Sequence, residues 1–147
     1  MNREREVVED LGWLDAALFV HVFYRDRETT RCEAILDALL NGRAAGRIDP
    51  ITLHELTYAL IHRFSGNRRH VAEFVTGLLS LDNVFVPDRE IYLKALRLWG
   101  NGEVGRFGDA IIMVRSLTDH VPVCSPDRHF AGLANSYATR ADPASGS

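Results

Sequence analysis

Four acidic residues stand where a chain could use them for chemistry: Asp15, Glu55, Asp109 and Asp127. Each sits at a boundary between a short apolar run and a stretch of helical periodicity, or one turn beyond it. Asp15 ends the run Leu11 to Leu14, after which Leu18, Phe19, Val22 and Phe23 fall at helical spacing. Glu55 follows Thr52 at the spacing of a capping box. Asp109 opens a helix whose apolar face is Phe107, Ala110, Ile111, Val114 and Leu117. Asp127 comes just past the run Val121 to Cys124, where Ser125 reads as a helix N-cap and Pro126 as the first helical residue. Every one of these positions has an ordinary structural use. Asp15, Asp109 and Asp127 could be caps or first-turn charges favoured by the helix dipole, and Glu55 could close its box. Gathered on one edge, however, four carboxylates repel one another, and a divalent cation relieves that repulsion. Oxygen donors without histidine or cysteine suit Mg2+ or Mn2+. Such ions activate water and steady both oxygens of an in-line phosphate displacement.

The elements that must position these acids alternate along the chain. Residues 1–10 are expected to form a charged leader, residues 11–140 one domain and residues 141–147 a disordered tail. Strands are expected at Leu11 to Leu14, Gly46 to Ile51, Val84 to Val86 and Val121 to Cys124, with a last edge strand within Leu133 to Thr139. Between them the periodicity predicts helices over Thr30 to Asn41, Thr52 to Phe64, Val71 to Leu81 and Asp88 to Trp99. The first of these has Cys32, Ile35, Leu36, Leu39 and Leu40 on its inner face and stops at Gly42. Helices alternating with short strands give an α/β fold with a mainly parallel sheet. In such sheets ligands bind at the carboxyl ends of the strands. Asp15, Glu55 and Asp127 follow the first, second and fourth strands, so topology directs the acids to that edge.

Composition narrows the function classes. The chain has 147 residues, of which 46% are hydrophobic and 25% charged, ordinary values for a soluble globular protein. Its net charge of -3 is not that of a protein coated in nucleic acid, although bound cations change the local sign. No apolar run reaches membrane-span length, and the charged start is unlike a secretory signal. The expected location is the cytoplasm, without a membrane partner. Cys32 and Cys124 lie far apart and read as two buried thiols in a reducing compartment. The histidines at 21, 54, 62, 70, 120 and 129 show no ligand spacing, and no phosphate-binding glycine loop ending in Gly-Lys occurs.

The order and separation of Leu14-Asp15, Leu53-x-Glu55-Leu56, Phe107-x-Asp109-Ala110 and Ser125-x-Asp127-x-x-Phe130 resemble a PIN domain, closest to the small VapC-type toxins of toxin–antitoxin pairs. The resemblance covers about Leu11 to Phe130. It implies that residues 11–140 are a single PIN-like domain, an α/β/α sandwich, Rossmann-like in layout, that hydrolyses RNA phosphodiester bonds with Mg2+ or Mn2+. By position it implies metal-binding and catalytic duty for Asp15, Glu55, Asp109 and Asp127, with Ser125 as a supporting hydroxyl. It further implies an antitoxin partner and a homodimer. Arg106, Arg115 and Arg128 surround the acids in sequence and are candidates for RNA phosphates; a solvated surface is the alternative use.

One departure bears on activity. Where the family carries polar residues after its first aspartate, this chain has Ala16 and Ala17. Loss of groups that orient metal-bound water or carboxylates commonly reduces metal affinity or activity by roughly ten- to a hundredfold. The alternative function is therefore a catalytically weakened PIN fold that binds RNA or protein without cutting. A phosphatase of the haloacid-dehalogenase kind, resembled only in an aspartate after the first strand, needs a second acid where Ala17 stands.

Overall fold

The computed structural model describes residues 8–22, 27–63 and 67–141. The chain divides into two compact units, Met1–Pro87 and Asp88–Ser147. The expected leader, the position of Phe23, the end of the third expected helix at Phe64 and the tail beyond 141 lie wholly or largely outside the described residues.

The N-terminal unit is α/β. Its elements run β1 (Glu9–Trp13), α1 (Ala16–His21), α2 (Thr29–Leu40), β2 (Ala44–Arg47), α3 (Pro50–Arg63), α4 (Arg68–Leu79) and β3 (Val84–Phe85). The strands form one parallel sheet in the order β1-β2-β3. Ladder bonds continue past the formal strand ends, with the Leu14 amide donating to the Arg47 carbonyl at 2.8 Å and Ile48 to Phe85 at 2.9 Å. Asn83 locks the entry to β3, its amide nitrogen donating to the carbonyls of Leu39 at 2.7 Å and Ala44 at 2.6 Å. The helices bury the faces that periodicity marks. In α4 these are Val71, Ala72, Val75, Leu78 and Leu79; in α3 they are Leu53, Leu56 and Leu60. Leu14, Ile48 and Val86 sit beneath the helices as the core layer of the sheet. Helix α2 stops where Gly42 takes φ 72, a left-handed conformation, as the sequence predicts.

The second strand is shorter and earlier than expected, and Pro50 belongs to α3 rather than to the strand. Proline is favoured at a first helical position, and Asp49 before it accepts the Ile51 amide on its carboxylate at 2.9 Å. The Thr52–Glu55 capping box is thereby replaced: Thr52 is buried inside the first turn.

The C-terminal unit contains α5 (Arg89–Gly100), α6 (Phe107–Asp119) and α7 (Arg128–Ala141). Helices α5 and α6 pack together, with Tyr92, Ala95, Leu96 and Trp99 buried on α5 and Phe107, Ala110, Ile111 and Val114 buried on α6, and the Trp99 and Phe107 rings lie 5.7 Å apart. Two expectations are corrected here. Val121 to Cys124 is not a strand, because its first residue closes α6: His120 turns left-handed at φ 54, and the Val121 amide reaches back to the Ser116 carbonyl at 3.1 Å. Pro122 then removes a backbone donor. Leu133 to Thr139 is not an edge strand but the body of α7, which buries Phe130 and Ala134 one helical turn apart. Across the described residues the chain is thus α/β, with seven helices and a short parallel sheet. No helix among them is long and apolar enough to cross a membrane.

Candidate functional site

In the N-terminal unit Asp15 follows the carboxyl end of β1 in extended backbone, φ -88 and ψ 150, and its carboxylate makes no cap hydrogen bond to α1. It is exposed. The capping explanation thus fails for Asp15, as it does for Glu55. The latter stands exposed in the second turn of a helix already capped by Asp49. Behind Asp15, Ala16 is buried at 6% exposure whereas Ala17 faces water.

In the C-terminal unit the start of α6 and the loop before α7 enclose a cavity of about 380 Å3. Its polar wall is Arg106, Asp109, Ser125 and Asp127, and its apolar wall includes Ile112 and Phe130. Asp109 is half-buried in the first turn of α6, where the helix dipole favours a negative charge. Asp127 caps α7, accepting the Phe130 amide at 3.0 Å, and its own amide donates to the Ser125 hydroxyl at 3.1 Å. The cap is therefore Asp127, not Ser125: the helix begins at Arg128, and Pro126 lies in the turn before it. One Asp127 oxygen is committed to this cap; a carboxylate has a second.

The structure thus brings Asp109, Asp127, Ser125 and Arg106 onto one cavity. Arg128 is exposed at the first position of α7. Arg115 is occupied elsewhere, donating to Asp88 at 3.0 Å. The hydrogen bond that Arg115 donates to Asp88, followed by one to Tyr92, raises the Arg115 pKa above its ordinary value. Cys124, expected to be buried, is exposed and lines the cavity, while Cys32 is buried as expected. The cavity role of Cys124 has no signal in the sequence, because the run Val121 to Cys124 that places it has the pattern of a strand, and Ile112 lies on α6 outside the apolar face that periodicity marks.

Two carboxylates and a hydroxyl are hard oxygen donors of the kind Mg2+ and Mn2+ take, and Mg2+ held by one or two carboxylates keeps several of its waters. The donor set at the cavity fits such an ion with water completing the shell. Among the described residues no group of three or more His, Cys, Asp or Glu side chains is gathered as a metal centre. In comparisons with known proteins, no family model, no curated protein and no solved structure matches this chain.

Proposed function

We propose that this chain is a metal-dependent endoribonuclease of the PIN type, with its α/β/α sandwich, acting as the toxin of a VapBC-like toxin–antitoxin pair in the cytoplasm. The observation that supports this most is the shared cavity of Asp109 and Asp127, two carboxylates presented by the starts of different helices with Ser125 and Arg106 beside them. In this reading Asp109 and Asp127 would hold Mg2+ or Mn2+, and the resemblance assigns the same duty to Asp15 and Glu55. Such an ion, when bound, would supply an activated water and offset charge on the phosphate under attack. Ser125 would orient the attacking water, and the Arg106 guanidinium would hold a phosphate oxygen. Water attacks phosphorus in line, the P–O bond to the leaving sugar breaks, and that oxygen takes up a proton. An antitoxin and a second copy of the chain are the partners this reading carries.

A second reading, a weakened PIN fold that binds without cutting, draws on two observations. Asp127 already has a structural use as a cap, and Ala16 and Ala17 bring no polar group beside Asp15. One experiment separates the two. With Mn2+, the purified protein is expected to cut single-stranded RNA, and Asp109→Asn is expected to lower the rate by at least about a hundredfold, the scale of a lost metal ligand or its support. Equal cutting by the variant identifies a contaminant, and RNA binding without cutting by either protein favours the binding module.

A further inference from the structure

The cavity of the C-terminal unit that holds Asp109 and Asp127 has an apolar wall that the proposed chemistry leaves unused. Ile112 stands on α6 three residues past Asp109, and Phe130 stands on α7 three residues past its cap Asp127; all four line the cavity. Residues three apart on a helix are neighbours on one face. Each helix thus presents an acid at its start and a large apolar side chain one turn on. The helices also run in the same sense. Their starts share this cavity, while Ser116 and Leu117 of α6 and Asn135 and Ala138 of α7 share another at their far ends. The acids therefore lie toward one end of the cavity and the apolar side chains toward the other, with Val123 of the connecting loop completing the apolar end.

Packing within the unit does not account for Ile112. Helix α6 buries Phe107, Ala110, Ile111, Met113 and Val114, whereas Ile112 is 48% exposed. A β-branched side chain also has lower helix propensity than alanine, lysine or glutamate, the ordinary choices on an open helix face. Phe130 does serve the core, at 8% exposure, and lends the cavity what surface remains. None of Ile112, Val123 and Phe130 carries a side-chain hydrogen-bond donor or acceptor. At about 380 Å3 the cavity is near the small end of the range for small-molecule sites, roughly 300–1,000 Å3. One nucleotide suits that volume, and a base pair does not.

We propose that Ile112, with Val123 and Phe130, seats one unpaired base of the RNA beside the phosphate under attack, an inference that rests on the nuclease reading for its choice of ligand. Arg106 and the two acids fix the charged end of the cavity, where phosphate belongs. The base of the adjoining nucleotide lies one ribose away, and one helical turn, about 5.4 Å, carries the wall from Asp109 to Ile112. The flat face of any base gains from leaving water against an apolar side chain. No side chain on that wall reads a base edge, so the seat selects by pairing state and not by base identity. A base within a duplex must be unstacked and unpaired before it can enter. The substrate class is therefore unpaired RNA of mixed sequence, with Ile112 as the positioning residue.

The test compares a fluorescent-labelled oligouridylate with an abasic ribose-phosphate oligomer of equal length, which keeps every phosphate and removes every base. In metal-free buffer the parent is expected to bind the oligouridylate about fivefold to tenfold more tightly, the scale of burying one face of a base on an apolar wall. An oligocytidylate should bind as the oligouridylate does, and an RNA duplex more weakly than either. Ile112→Ser should bind both single-stranded oligomers with the parent's abasic affinity, whereas Ile112→Leu should keep the preference. Equal binding of the two oligomers by the parent, or no binding of either, would overturn the seat without recourse to any variant. So would a preference that survives Ile112→Ser, or a loss of several degrees in the melting temperature of that variant, which would make Ile112 a packing residue. These readings are independent of cleavage. A base preference that depends on Ile112, with no cutting in Mn2+, sinks the nuclease and leaves the seat. Asp109-dependent cutting of both oligomers at equal kcat/KM does the reverse.

Discussion

Ala16 and Ala17 differ in surroundings, and the difference decides what a polar side chain could do at each. Ala16 is buried against the core of the N-terminal unit, and Ala17 is exposed in the first turn of α1. A threonine at 16 adds volume to a packed site and buries a hydroxyl, costs of about 1–3 kcal/mol for the overpacking alone. An asparagine at 17 meets water, and its propensity penalty in a helix is under about 1 kcal/mol. The expected outcome is a split between the two changes. Ala16→Thr should lower the melting temperature by roughly 3–10 °C for a chain of this size. Ala17→Asn should leave the melting temperature nearly unchanged and tighten Mn2+ binding by about tenfold, measured by calorimetric titration. Identical melting curves for Ala16→Thr and parent would show that the pocket around Ala16 has room, and an unchanged titration for Ala17→Asn would show that the missing polar group is immaterial.

Asp127 ties a helix boundary to the candidate chemistry, and substitutions can separate the two roles. Its carboxylate caps α7 by accepting the Phe130 amide. Asparagine is as good a cap as aspartate, whereas alanine loses about 1 kcal/mol of helix stability. Asp127→Asn is therefore expected to melt as the parent does yet lose RNA cleavage, and Asp127→Ala to lose both. If Asp127→Asn cleaves at the parental rate, the carboxylate is a cap and nothing more. The same boundary shows where sequence reasoning stops. Both Ser125 and Asp127 are good caps, and pattern alone does not choose between them; the structure uses Ser125 to fix the Asp127 amide and Asp127 to start the helix. The helices from α4 to α6 were legible because their apolar residues recur over several turns. The run Val121 to Cys124 was not, since four apolar residues fit a helix closure and a loop as readily as a strand. The start of helix α7 was legible in Ser125, Pro126 and Asp127, but its body was not, because its inner face is thin, with Phe130 and Ala134 as its buried residues and small or polar neighbours between them. Of the candidate acids, the sequence located Asp109 and Asp127 well enough that the structure places both on one cavity. The register that sets Trp13 opposite Arg47 was invisible, because it depends on a bulge between strands distant in sequence.

At the scale of the whole chain, the net charge of -3 limits how RNA can be held. A protein that binds nucleic acid through a broad basic face neutralises many phosphates, and its affinity collapses as salt rises. Here the group assigned to phosphate at the cavity is Arg106, while Arg115 is already paired with Asp88. For single strands each neutralised phosphate contributes about -0.7 to the slope of log affinity against log salt. Between about 50 and 200 mM salt one contact amounts to a roughly threefold loss; six contacts would give a loss of several hundredfold. We expect titrations of the metal-free protein with a fluorescent-labelled oligouridylate over that salt range to show the shallow dependence, and Arg106→Gln to flatten it further. A several-hundredfold loss would place RNA binding on a basic surface that Arg106 does not represent, and the assignment of phosphate to the cavity would have to be given up.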